Sequence, residues 1–131
     1  MTKRQRTLQV TEWLRQRFPT PLPVYIVFRE PTNGPWWDQS EAETKRFGRR
    51  LRITLDPRCT IYYLLHALLH EWAHAVDWRH GDIERLQDRG EAPMHSDTWG
   101  VTYGRIYRAF FDEQGCQESK DFAAPNRARR Q

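Results

Sequence analysis

The sequence predicts a small α+β domain: an N-terminal helix, a short antiparallel sheet, and a central helix packed on a C-terminal helix. Three observations predict it. Leu51, Ile53 and Leu55 alternate with Arg50, Arg52 and Thr54, the period of a strand with one buried face. Ile61, Leu64, Leu65, Leu68, Leu69, Trp72, Ala75 and Val76 recur at helical spacing and cover most of a helix surface, the mark of a central, buried helix. Trp99, Tyr103, Ile106 and Phe110 then repeat at helical spacing near the end of the chain.

The elements follow in order. Val10, Trp13, Leu14 and Phe18 give residues 7–18 the stripe of an amphipathic helix, closed by Pro19, Pro21 and Pro23. Val24 to Phe28 is β-rich, with Val24, Ile26 and Phe28 on one face. Pro31 to Pro35 is a turn. The stretch Trp36 to Arg49 is ambiguous and has room for a second, twisted strand, and residues 50–55 form the strongest strand of the chain. Asp56-Pro57 breaks it, and the central helix runs from Thr60 to about Arg79. Residues 81–93, with Gly81, Gly90 and Pro93, read as a loop. Ser96 is placed to cap the last helix, which reaches about Gln114 and stops at Gly115. Gly100 and Gly104, one turn apart, suit a close approach to a neighbouring helix. Residues 117–131 read as a loosely held tail.

At 131 residues and 15.8 kDa the chain is expected to form a single domain with one core. Six Trp, five Tyr and six Phe supply much of the packing material. No apolar run approaches the roughly 18–20 residues of a membrane span, and no apolar stretch follows the charged start Met1-Thr2-Lys3-Arg4-Gln5-Arg6, so no secretory signal is expected. Cys59 and Cys116 are too few for a disulfide framework or a four-cysteine zinc site, and a reducing cytoplasmic setting is the expectation. The net charge of +4 is unevenly spread. Lys3, Arg4, Arg6, Arg15 and Arg17 face only Glu12 in the first eighteen residues, Arg127, Arg129 and Arg130 crowd the other end, and the middle is net acidic. Flexible basic ends near 1–6 and 117–131 make nucleic acid a candidate partner.

The chemistry gathers on the central helix. His70-Glu71-Trp72-Ala73-His74 is an HExxH sequence: its histidines stack on one helical face and can grip one metal ion, while Glu71 reaches a metal-bound water without itself becoming a ligand. Zinc suits two imidazoles with an open position for water. Two polar rings and a carboxylate on so apolar a helix call for partners. His66 precedes His70 by four residues, but a 66/70 pair would have Ala67 where the carboxylate is needed, so His66 reads as a core or supporting histidine. Asp77 lies three residues past His74, placed to orient a ligand imidazole or to form an ion pair. His80 reads as a helix-end residue. The third ligand is expected at His95, beyond a loop long enough to reverse the chain; Asp97 and then Glu91 are the alternatives, and Cys116 lies too far along.

From Arg52-Ile53-Thr54-Leu55 through Leu65, Leu69, His70-Glu71-Trp72-Ala73-His74 and Ala75 to His95-Ser96-Asp97-Thr98-Trp99, the chain resembles the SprT-like (Spartan-type) zinc metallopeptidases. The resemblance spans roughly residues 24–111, and its sharp part is the helix motif. It implies a small zincin-like fold, one zinc ion on His70, His74 and His95, Glu71 as general base, and the strand at 50–55 lining the cleft. Two features depart from the family pattern: Ser96 stands where relatives commonly have Gly, and two cysteines cannot build the C-terminal zinc ribbon that many relatives carry. Some relatives cleave proteins crosslinked to DNA, a role not carried over to a chain whose only basic clusters are its ends.

The expected function is therefore hydrolysis of a protein or peptide. Substrate would add as a strand along 50–55 if that strand is an edge, and Tyr103, Tyr107 or Tyr62 would offer a second oxyanion donor. The alternative is a non-catalytic zinc-containing module that binds nucleic acid or a larger assembly through the basic termini.

Overall fold

The computed structural model describes residues 1–29, 42–78 and 97–115. They form α1 (Lys3–Arg17), β1 (Val24–Phe28), β2 (Ala42–Phe47), β3 (Arg50–Leu55), α2 (Ile61–Val76) and α3 (Asp97–Ala109), which runs on into a π-helical turn at Phe110–Gln114. The fold is α+β. No helix among the described residues is long and apolar enough to cross a membrane.

α1 starts four residues earlier than the apolar stripe indicates. Thr2 caps it through a reciprocal pair: the Gln5 backbone donates to the Thr2 hydroxyl, and the Thr2 backbone donates to the Gln5 side chain. The basic residues Lys3, Arg4 and Arg6 consequently lie within α1. Lys3 Nζ donates to the carbonyl oxygens of Pro57 and Cys59 at 3.1 and 3.0 Å, tying the start of α1 to the turn that launches α2. Arg4 lies over the Phe28 ring, and Arg6 reaches the Gln114 carbonyl oxygen.

The expected antiparallel sheet is mixed. Its order is β1-β3-β2, with β2 antiparallel and β1 parallel to β3. A tight connection joins β2 to β3, and Gly48 takes the positive φ of 62° that the turn needs. The hairpin uses one edge of β3 and leaves the other for β1. There Val24, Ile26 and Phe28 fall in register with Leu51, Ile53 and Leu55, so all six face the helices. β3 is thus the central strand and not the substrate-accepting edge, since both its sides are occupied; β1 and β2 are the outer strands.

Leu51, Ile53 and Leu55 pack with Leu64, Leu65, Leu68, Leu69 and Trp72 of α2, with Val10 and Leu14 of α1, and with Ile106 and Phe110. Burial of each large aliphatic side chain stabilises by about 1.5–3 kcal/mol. Thr60 caps α2, which ends at Val76, short of Arg79. The indole N–H of Trp72, fully buried, donates to the Phe18 carbonyl oxygen at 2.9 Å and moors α2 to the end of α1. Gly115 ends the last helix at φ 78°, as the sequence predicts. Among the described residues Gly100 and Gly104 mark no close helix contact: both are exposed, and a Cβ at either would meet nothing there within 4 Å. The turn at 31–35, Trp36 and Trp37, the loop at 81–93, His80, the Ser96 cap and the tail from Cys116 onward lie outside the described residues.

Candidate metal centre

Four-residue spacing on α2 sets His70 and His74 one turn apart, their rings 5.0 Å between centroids. Glu71 is turned inward beside them. The ligand atoms of His70, Glu71 and His74 all lie within 4.8 Å of one another, and these three are the group able to hold a metal ion among the described residues. Tetrahedral zinc at bond lengths near 2.0–2.1 Å wants its donors about 3.3 Å apart, a spacing that imidazole rotations on one helix face can reach. Two imidazoles one helical turn apart suit zinc, and the carboxylate beside them suits a base for a metal-bound water.

Exposure divides the roles within the group. The His70 side chain is 37% exposed and that of Glu71 8%. A cation can reach the imidazole, while the carboxylate is largely withdrawn from water. Withdrawing a carboxylate is costly unless its oxygens are bonded, and both are. Glu71 Oε2 lies 3.1 Å from His70 Nδ1, and Glu71 Oε1 accepts from the Thr44 hydroxyl at 3.3 Å. This contact turns the carboxylate toward the His70 ring, where it can orient the imidazole.

An aromatic wall from α3 closes the other side. The Trp99 indole stacks on His74 at 5.2 Å and 28°, and meets His70 edge-on at 4.9 Å. Trp99 itself lies flat on Tyr103, 5.1 Å away at 8°, and the Tyr103 ring is 5.9 Å from that of His70. This explains why the predicted stripe of α3 divides: Ile106 and Phe110 are buried in the core, whereas Trp99 and Tyr103 are half-buried along the site. Burial raises the Tyr103 phenol above its ordinary value, so it remains a neutral hydroxyl donor near neutral pH.

The remaining candidates are sorted by position. His66 sits one turn before His70 with its ring on Tyr62 at 4.2 Å and against Tyr107 at 5.4 Å, and burial lowers its pKa. Tyr62 and Tyr107 thus surround His66, and Tyr103 is the tyrosine that reaches the histidine pair. Asp77 caps the end of α2 and accepts from the Thr98 hydroxyl at 3.0 Å, which joins α2 to the first turn of α3. Asp97 is exposed at the start of α3 and is not part of the His70–Glu71–His74 group. His95 and Glu91 lie outside the described residues. Sequence reasoning misses Thr44, which lies in the ambiguous stretch Trp36 to Arg49; its one signal is the short alternation Ala42, Thr44, Arg46. No family model, curated protein or solved structure matches this chain.

Proposed function

We propose that the protein is a zinc-dependent metallopeptidase of the SprT-like, zincin type, acting on a protein or peptide substrate in the cytoplasm. The observation that carries this reading is the paired imidazoles of His70 and His74 with the buried carboxylate of Glu71 beside them, hydrogen-bonded to Thr44 of an outer strand. A structural zinc site has no need of a base there.

His70, His74 and a third ligand would hold the ion, with His95 the first choice and Asp97 or Glu91 the alternatives. Zinc, when bound, supplies the Lewis acidity that activates a water and a peptide carbonyl. Glu71 does the proton work: its carboxylate takes a proton from the attacking water and hands it to the leaving amine nitrogen. The substrate main chain lies along the outer edge of β2, and the Tyr103 hydroxyl donates to the carbonyl oxygen as charge develops there.

Metal content by mass spectrometry, wild type beside His95→Ala, tests the proposal together with a peptide-hydrolysis screen. About one zinc per chain, sharply reduced in the variant, and metal-dependent cleavage support it. Zinc retained without His95 moves the third ligand to Asp97 or Glu91. A wild type that takes up no zinc overturns the reading.

A further inference from the structure

The direction of the backbone groups in the sheet gives Thr44 two tasks. Leu51 N–H donates to the Pro23 carbonyl at 2.8 Å, and the Leu55 carbonyl accepts from Arg29 N–H at 3.0 Å. The main-chain groups of Leu51, Ile53 and Leu55 therefore point toward β1. Those of Arg50, Arg52 and Thr54 point the other way, where they meet Phe47, Lys45 and Glu43 of β2. Thr44 stands opposite Ile53, so its own N–H and C=O point away from β3, to the outer edge of the sheet. No strand among the described residues pairs with that edge.

Its side chain points the opposite way. Thr44 falls on the face of Leu51, Ile53 and Leu55, the face that packs on α2. There its hydroxyl lies 3.3 Å from Glu71 Oε1 and 3.3 Å from the Glu71 carbonyl oxygen, so its one proton has both acceptors on the same residue. A single residue thus offers main-chain groups to an incoming strand and a hydroxyl to the buried carboxylate.

We infer that Thr44 is a positioning residue, which links a peptide bound along the outer edge of β2 to the orientation of the Glu71 carboxylate. The inference rests on the peptidase reading above. Binding of a peptide backbone at Thr44 fixes the strand segment that carries the hydroxyl, and the hydroxyl fixes Oε1. The carboxylate is then held with Oε1 anchored at the hydroxyl and Oε2 turned toward the His70 ring. Hydrogen bonds to a charged group are the stronger kind and give direction as well as attraction.

The test uses the zinc-loaded full chain with fluorescein-labelled unfolded casein as substrate. Thr44→Val keeps the β-branch and the main-chain groups and removes the hydroxyl. It is expected to lower kcat about tenfold or more while KM stays within about twofold, and Thr44→Ser is expected to recover kcat to within about threefold. An unchanged kcat in Thr44→Val, a loss carried by KM alone, or equal losses in the Val and Ser variants overturns the inference. A second readout needs no turnover. In metal-free protein, Thr44→Val should lower the urea midpoint in the wild-type background and leave it nearly unchanged beside Glu71→Ala. Equal losses in both backgrounds show that hydroxyl and carboxylate do not interact, and overturn it. A zinc-loaded wild type that cleaves nothing overturns the peptidase reading and the catalytic part of this inference, while the urea cycle still reports on the Thr44–Glu71 contact separately.

Discussion

The Trp99 indole and the His74 imidazole are stacked at 5.2 Å and 28°, so a residue on α3 sets the ring plane of a candidate ligand on α2. An aromatic pair of this kind contributes about 0.5–1.5 kcal/mol beyond its buried area. Trp99→Ala is expected to weaken zinc binding about three- to tenfold, and Trp99→Phe to weaken it less. Competition against a chromophoric chelator measures both.

Glu71→Gln separates binding from chemistry. The amide cannot take a proton from water, but it leaves His70 and His74 in place. The variant is expected to keep its zinc and to lose about 10²- to 10⁴-fold in peptide hydrolysis. Unchanged hydrolysis would remove Glu71 from the role of base.

His66 makes stability depend on pH in a definite direction. Its folded pKa lies below the ordinary value of 6.5 because burial against Tyr62 and Tyr107 disfavours the imidazolium. Between the two values the unfolded chain binds more protons than the folded one, so stability rises with pH there. This contribution is complete above about pH 6.5 and shrinks as pH falls through the unfolded value toward the folded one. In urea melts of metal-free protein from pH 7.5 to 5, His66→Phe is expected to lose less stability than wild type.

Asp56 acts at lower pH. The Arg58 side chain and backbone hold its carboxylate below the ordinary 3.8, so its stabilising contribution is present above that value and is lost as pH falls through the folded pKa. Asp56→Asn is expected to lower the urea midpoint at pH 7, with the difference from wild type closing only well below pH 3.8.

Leu68 is fully buried between the sheet and α2's neighbours. Leu68→Ala removes that packing without touching the site, and is expected to cost about 2–5 kcal/mol in urea unfolding.

What the sequence made legible follows from where its periodicity is strong. α2 and β3 carry unbroken apolar patterns, and both appear where those patterns place them, with His70, Glu71 and His74 together. β2 falls inside the stretch with room for a strand, but its bounds and register are illegible because Ala42, Glu43 and Lys45 have weak strand preference; pairing with β3 fixes them. Thr44 was hidden with them. The first turn of α1 is polar throughout, so the apolar stripe could not reveal it, although Thr2 and Gln5 stand at capping-box spacing. Strand direction was illegible for another reason: the alternation Val24, Ile26, Phe28 fits β3 equally well in either sense.

The mixed sheet also sets an order of assembly. β2 and β3 meet through a short turn, so their pairing closes a small loop and can form early. β1 pairs with β3 on its other side, and this parallel register requires closure of a larger loop. Glu71 gains its contact to Thr44 when the hairpin docks on α2, whereas the Trp72–Phe18 mooring, one residue along, needs the N-terminal helix as well. The carboxylate of Glu71 thus depends on the hairpin and α2 alone, whereas the helix that carries it depends, one residue along, on the end of α1.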